Sequence, residues 1–181
     1  MAELVALVDY GAGNLQSVLN ALRTAGAERV VVTADPDTLR AADRIVLPGV
    51  GAFAAAMQGL SSIPGMIDAL NDMVRGKGCP FLGVCVGMQL MAEAGEEHGT
   101  TQGLGWCKGV VRAIAPRPDL KVPHMGWNDV RPLAAHPLIE AGEAYFLHSF
   151  AYEGADVLAR TDHGGPVTAA IGRDNMAGVQ F

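Results

Sequence analysis

A short apolar strand that runs into a Gly-X-Cys-X-Gly turn is the feature that most constrains this fold. The strand is Phe81–Val84, and Gly83 and Gly87 flank Cys85 before a helical stretch begins. Glycines are needed on both sides of a nucleophile elbow because the turn is too tight for side chains. The segment therefore predicts a buried strand, a sharp turn and a helix, with one thiol above the carboxyl edge of a parallel sheet.

The thiol of Cys85 has two interpretations. As a nucleophile it would react as the thiolate, and a helix N-terminus beside it is expected to lower its pKa. As a structural residue it would pack as a small hydrophobic side chain, which is what most free cysteines do. The flanking glycines and the preceding apolar run favour the nucleophile.

Composition excludes several classes of function. The chain has 181 residues, of which 50% are hydrophobic and 18% charged, enough for one well-packed domain over residues 1–181. A net charge of -6 argues against a nucleic-acid surface, and no apolar run is long enough to span a bilayer. The chain begins directly with a strand and without a basic leader, so we expect no signal peptide. The cysteine spacing suits neither disulfides nor zinc and indicates a reducing compartment, the cytoplasm; the cysteines are Cys79, Cys85 and Cys107.

The first half of the sequence alternates strands with helices. Apolar strands that alternate with helices are typical of a parallel, doubly wound α/β sheet with right-handed crossovers. The predicted strands are 4–9, 30–33, 44–47 and 81–84, and the predicted helical stretches are 15–25, 36–42, 63–75 and 87–94.

The second half contains short strands separated by turns, which predicts antiparallel strands appended to the parallel core. Asp174-Asn175 has the position of a hairpin turn before the last strand. The predicted strands are 109–114, 128–131, 145–150, 157–161, 167–171 and 176–181.

Three loops are expected to meet at the carboxyl edge of the sheet: 10–14, 48–51 and the Cys85 turn. Attack by Cys85 on an amide or an ester would create an oxyanion that needs two donors. The loop 48–51 can supply one of them, although Pro-Gly-X-Gly is also an ordinary tight turn. The candidate oxyanion donors are the backbone N–H groups of Gly49, Val50, Gly51 and Val86.

The loop 10–14 also contains Gly-Ala-Gly, which suggests a dinucleotide-binding turn only weakly. The third glycine of that fingerprint would fall on Gln16.

Polar side chains after Cys85 are the next candidates. Gln89 lies one helical turn further on, so its amide can face the same pocket or can be a solvated helix residue. Glu96 and Glu97 end the predicted helix, either as a solvated pair or with one acid holding the ammonium group of a ligand. His124 and His148 have apolar neighbours, which is more typical of hydrogen-bonded core histidines than of a catalytic base.

Taken together, these segments resemble the class I glutamine amidotransferases. More narrowly, they resemble the glutaminase subunits of imidazole glycerol phosphate synthases, over the whole chain. The elbow is shared by the wider class, whereas the segments 9–15, 123–128 and 146–149 are typical of these subunits.

This resemblance implies that Cys85 attacks the side-chain amide of glutamine, forms a γ-glutamyl thioester and releases ammonia. Residues 48–51 would form the oxyanion strand, which the family sets fully only when a loaded partner is bound. The ammonia would pass through a channel to a partner cyclase, a (β/α)8 barrel that makes imidazole glycerol phosphate in histidine biosynthesis, and 124–128 would lie near it. No metal or cofactor is implied. The implied glutamine-pocket residues are Gly51, Gln89, Glu97, His148 and Ser149.

The sequence departs from the family pattern after Gly-Val-Gln-Phe. The family continues there with His-Pro-Glu, which supplies the base and its orienting carboxylate, whereas this sequence stops at Phe181. We expect little or no glutaminase activity from a polypeptide that ends at Phe181, and we favour the interpretation that it is part of a longer protein. The alternatives are a non-catalytic docking subunit and a glutaminase for another synthase, such as that of pyridoxal phosphate; the segment 125–128 argues against the latter.

Overall fold

The strands form two sheets in the computed structural model, which describes residues 2–118 and 120–181. The strands are β1 (Leu4–Val8), β2 (Arg29–Thr33), β3 (Arg44–Leu47), β4 (Phe81–Val84), β5 (Ala92–Gly95), β6 (Thr101–Gln102), β7 (Cys107–Ala113), β8 (His124–Pro132), β9 (Gly142–His148), β10 (Phe150–Gly154), β11 (Val157–Asp162), β12 (Pro166–Arg173) and β13 (Met176–Val179). The helices are α1 (Leu15–Thr24), α2 (Pro36–Arg40), α3 (Phe53–Ser61), α4 (Met66–Leu70), which continues into a π-helical turn (Asn71–Gly76), and α5 (Val86–Gln89). No helix in these two ranges is both long enough and apolar enough to cross a membrane.

The larger sheet has the order β2-β1-β3-β4-β13-β12-β11-β8-β9. Its first five strands are parallel, and the remaining pairings are antiparallel. The predicted α/β architecture, a parallel sheet with appended antiparallel strands, is therefore confirmed. A second sheet of order β10-β7-β5-β6 was not predicted.

Side chains alternate along the parallel strands and bury both faces of the sheet. Val5 and Leu7 of β1 pack under the apolar face of α1. Ala6 and Val8 point the other way, into the main core formed with α2, α3 and α4. Helices on both faces are the doubly wound arrangement, which leaves the carboxyl ends of the strands free to form a site.

The prediction for the segment between β3 and β4 needs two corrections. Helix α3 was missed, although its buried residues Phe53, Ala56 and Leu60 lie three and four positions apart, as on one helical face. The predicted helix 63–75 begins only at α4, because the chain turns at Gly65, where φ is +77°. The predicted hairpin turn at 174–175 is confirmed, since β12 and β13 pair antiparallel around it.

The predicted helix 87–94 is wrong. Helix α5 has four residues, and the chain then enters β5, which pairs with β6 and β7. Gly95 packs against the ring of Phe53, where an added Cβ would come within 2.5 Å of the ring. Tertiary pairing thus overrides the local helical pattern, and Glu96 and Glu97 follow a strand instead of ending a helix.

Candidate active site

Cys85 occupies the strand-to-helix turn in a conformation that is rare for a residue with a side chain. Its φ is 55° and its ψ is −114°. The Cys85 backbone N–H donates to the carbonyl of Val179 at 2.8 Å, and its own carbonyl accepts from Met88 and Gln89 at 3.0 and 3.1 Å. A strained backbone held in this way between β13 and α5 is the geometry of a nucleophile elbow.

The two glycines of the elbow are required by close backbone contact. A Cβ on Gly83 would lie 2.6 Å from the carbonyl oxygen of Gly87. A Cβ on Gly87 would overlap the carbonyl oxygen of Leu47, well inside van der Waals contact. The sequence argument for these glycines is therefore correct, because β3, β4 and α5 approach one another too closely for side chains.

A cavity of about 460 Å³ opens beside the thiol. It brings together the predicted nucleophile, oxyanion donors and glutamine-pocket residues, with the exception of Gly49. Gly49 does not line it, but packs directly behind the elbow, where an added Cβ would lie 2.7 Å from the backbone nitrogen of Gly87. The lining residues are Val50, Gly51, Cys85, Val86, Gln89, Glu97, Pro123, Leu147, His148, Ser149 and Phe150.

The environment of the thiol differs from the sequence expectation. Burial raises the pKa of Cys85, while hydrogen bonds from the Val86 backbone and the Gln180 side chain act in the opposite direction. A pKa lowered by the helix N-terminus was expected. A four-residue helix has only one turn of aligned peptides, so its effect on the pKa is smaller than the cost of burying the charge.

The loop that carries the candidate oxyanion donors is anchored from behind by Tyr10. The Tyr10 hydroxyl donates to the carbonyl of Pro48 at 3.0 Å, and burial together with the nearby Cys85 raises the pKa of Tyr10 to about 12. The phenol therefore stays a neutral donor near pH 7. Gly51 has a φ of +83°, a left-handed conformation that favours glycine. The three predicted loops do meet, since Gly13 also abuts Pro48, but residues 10–14 do not line the cavity.

Gln89 is not a solvated helix residue, because it is only 5% exposed. Its side-chain nitrogen donates to the carbonyl of Phe150 at 3.2 Å and to the side-chain oxygen of Gln180 at 3.0 Å. The amide that was expected to face a substrate thus has its nitrogen already hydrogen-bonded within the protein.

The side chains of Glu96 and Glu97 lie in different environments. Glu97 points toward the cavity, and its carboxylate accepts the backbone N–H of Phe53 at 2.9 Å, at the start of α3. Glu96 lies on the surface and pairs with Arg112 at 2.9 Å. Of the two acids, Glu97 is therefore the one that lines the cavity.

His148 and His124 form one hydrogen-bonded pair. The Nδ1 atom of His148 lies 2.9 Å from the carbonyl of Phe150, which can only accept, so Nδ1 carries the proton and Nε2 accepts from His124 Nδ1 at 3.0 Å. His124 Nε2 then accepts from Asn128 at 3.1 Å. Burial lowers the pKa of His148 and lowers that of His124 to about 4. With every ring nitrogen occupied, both residues fit the core-histidine interpretation better than that of a base for Cys85.

Sequence reasoning missed Gln180, which is 1% exposed and places its side-chain nitrogen 3.7 Å from the sulfur of Cys85. The signal was a polar residue at the end of an otherwise apolar strand. Because β13 pairs in parallel with β4, the end of β13 lies beside the elbow.

A sequence model of the family described as "Glutamine amidotransferase class-I" matches residues 6–181. The chain belongs to this family. As a class-I glutamine amidotransferase, it is also 60% identical to the "Imidazole glycerol phosphate synthase subunit HisH" of Zymomonas mobilis, over 98% of this chain and 86% of that protein. It is 48% identical to the protein of the same name from Caulobacter vibrioides, over 99% of this chain and 90% of that protein. At these identities, the amidotransferase groups with the HisH subunits.

Solved structures support the amidotransferase fold at much lower identity. A structure described as a glutamine amidotransferase superposes with a TM-score of 0.75 at 17% identity, covering 97% of this chain and 88% of that one. PurLQS from Thermotoga maritima superposes with a TM-score of 0.68 at 19% identity, covering 99% and 86% respectively. At such identities the likeness shows the fold alone.

Proposed function

We propose that this amidotransferase is the glutaminase subunit of an imidazole glycerol phosphate synthase, which hydrolyses glutamine and supplies ammonia for histidine biosynthesis. The observation that carries the proposal is the position of Cys85, on a strained elbow that opens into a cavity with a glycine-rich loop. The high identity to HisH subunits supports glutamine as the substrate. Three unpaired cysteines, Cys79, Cys85 and Cys107, are compatible with a reducing cytoplasm.

In the proposed reaction, the thiolate of Cys85 attacks the carbon of the glutamine side-chain amide. The carbonyl oxygen becomes an oxyanion, and backbone N–H groups of Val86 and of the loop Gly49–Gly51 would stabilise it. Collapse of this intermediate breaks the C–N bond and expels ammonia, and water then hydrolyses the thioester to glutamate. Glu97 would face the α-ammonium group, with Ser149 nearby. In the family, the base that transfers these protons belongs to a His-Pro-Glu segment.

An exposed apolar face on the β8–β9 hairpin, beside the cavity, supports the proposal that a partner subunit binds there. Met125 and Leu147 lie directly opposite each other in the β8–β9 pair, as do Trp127 and Tyr145. All four are exposed, and Leu147 also lines the cavity. An apolar surface of this kind marks a protein interface. We propose that the cyclase, a barrel by resemblance, docks on this hairpin face and receives ammonia before water protonates it.

The proposed function is tested by measuring ammonia and glutamate released from glutamine. The assay uses a polypeptide that includes the family's His-Pro-Glu segment, and it is run with this subunit alone, with the cyclase, and with the cyclase and its nucleotide substrate. We expect hydrolysis to be slow alone and to rise when the loaded cyclase is present, with asparagine as a control amide that stays uncleaved. Absence of glutamine hydrolysis by the loaded complex would contradict the proposal.

Replacing Trp127 with alanine is expected to weaken binding of the cyclase. Trp127 is 72% exposed on the hairpin face, and buried aromatic anchors at interfaces typically contribute 2 kcal/mol or more, so Kd should rise about 30-fold or more. Titration calorimetry of the two subunits measures this change. Leu138→Ala is the matched control, since Leu138 is also strongly exposed but lies outside the hairpin face. Equal affinity of both variants would place the interface elsewhere.

A further inference from the structure

Two buried glutamines connect a backbone carbonyl to the nucleophile. The Phe150 carbonyl accepts from Gln89 at 3.2 Å, Gln89 donates to the Gln180 side-chain oxygen at 3.0 Å, and Gln180 donates to the Cys85 sulfur at 3.7 Å. Neither glutamine is exposed enough for water to replace these partners.

The direction of these three hydrogen bonds is determined by the Phe150 carbonyl. A backbone carbonyl can only accept, so the nitrogen end of the Gln89 amide must face Phe150. That same nitrogen carries a second hydrogen, which requires the oxygen end of the Gln180 amide to face Gln89. Gln180 must then turn its nitrogen toward Cys85. A free amide can flip end for end, and here each neighbour selects one orientation.

We propose that Gln180 is a catalytic residue that donates a hydrogen bond to the Cys85 sulfur, and that Gln89 is the positioning residue that fixes its orientation. The proposal rests on the proposed role of Cys85 as nucleophile. A donor beside the sulfur stabilises the thiolate against the cost of burial, together with the Val86 N–H. It acts again in thioester hydrolysis, when the C–S bond breaks and its electron pair returns to sulfur.

The test is alkylation of Cys85 by iodoacetamide between pH 6 and 10, followed by mass spectrometry of the Cys85 peptide in the protein bound to its cyclase. In Gln180→Met we expect the pH profile to move to higher pH. The rate at pH 7 should fall about three- to tenfold, because the smaller thiolate fraction is partly offset by a more nucleophilic sulfur. The titratable residues Glu97 and His148, which share the cavity, stay unchanged in every variant. Gln58→Met, on the exposed side of α3, is the matched control and should alkylate as the parent protein does.

Gln89→Met separates orientation from simple packing. It should slow alkylation less than Gln180→Met does, and the double variant should be no slower than Gln180→Met alone, because the two residues act as one unit. Effects that multiply in the double variant would overturn the proposal, as would an unchanged pH profile in a folded Gln180→Met protein. If Gln180→Met does not fold, Gln89→Met decides, and an unchanged profile there overturns the proposal. Alkylation requires no glutamine, so these results are independent of whether the proposed glutaminase function holds.

Discussion

Replacing Cys85 with alanine is expected to abolish release of ammonia from glutamine, with a fall of at least about 10³-fold in the complex with the cyclase. The reason is chemical: without the sulfur no thioester forms, and the Ser149 hydroxyl that also lines the cavity does not sit on the elbow. The cavity itself should persist, because alanine keeps the Cβ and makes the same backbone hydrogen bonds, donating to Val179 and accepting from Met88 and Gln89. Glutamine binding, followed by calorimetry, should therefore change little while turnover is lost.

Two controls make this result specific. Cys79→Ala removes a buried thiol near the opposite end of β4, whose hydrogen bonds within residues 2–118 and 120–181 all go to backbone carbonyls, and should leave turnover intact. Synthesis by the cyclase from added ammonium salt at high pH should also survive in Cys85→Ala, because free ammonia then replaces the missing supply. Undiminished glutamine hydrolysis in Cys85→Ala would show that this thiol is not the nucleophile.

The parallel half of the fold could be predicted from local signals. The strands β1, β3 and β4 are short apolar runs between turn residues, so the residues of each strand are enough to predict it. Strand β5 is different, because the segment 87–94 has a helical pattern and becomes extended only through pairing with β6 and β7. The second sheet therefore depends on contacts between distant residues that no local pattern contains.

The residues of the candidate site also fall into those with a local sequence pattern and those that depend on contacts between distant segments. Cys85 and its flanking glycines were found because a nucleophile elbow is a local structure with a local sequence pattern. The hydrogen-bond partners of Gln89 and His148 are distant in sequence, so the sequence alone left the roles of both residues open. Gln180 was missed because its closeness to Cys85 follows from the pairing of β13 with β4, across nearly a hundred residues.

Gly87→Ala is expected to destabilise the protein by about 3 kcal/mol or more. The new methyl group would overlap the Leu47 carbonyl oxygen and press on Pro48, and both are backbone groups that cannot rotate away. Relief requires β3 to separate from α5, which breaks the contact between two central elements of the main core. Alanine is the better helix former, but that gain is about 1 kcal/mol and is smaller than the clash. Urea unfolding of the variant and of the parent protein measures the difference in the free energy of unfolding.

Gly142→Ala is the matched control, because an added Cβ there meets nothing within 4 Å and its φ is not in the left-handed region. Its free energy of unfolding should stay within about 0.5 kcal/mol of the parent value. If Gly87→Ala unfolds at the same urea concentration as Gly142→Ala, then the elbow tolerates a side chain at this position and close packing does not explain its glycines. If instead it is destabilised as expected, Cys85 should also alkylate at an altered rate, because the loop 48–51 that borders the thiol follows directly from the displaced end of β3. Stability and thiol reactivity are coupled here because the same backbone contact that requires glycine also positions the nucleophile beside its cavity.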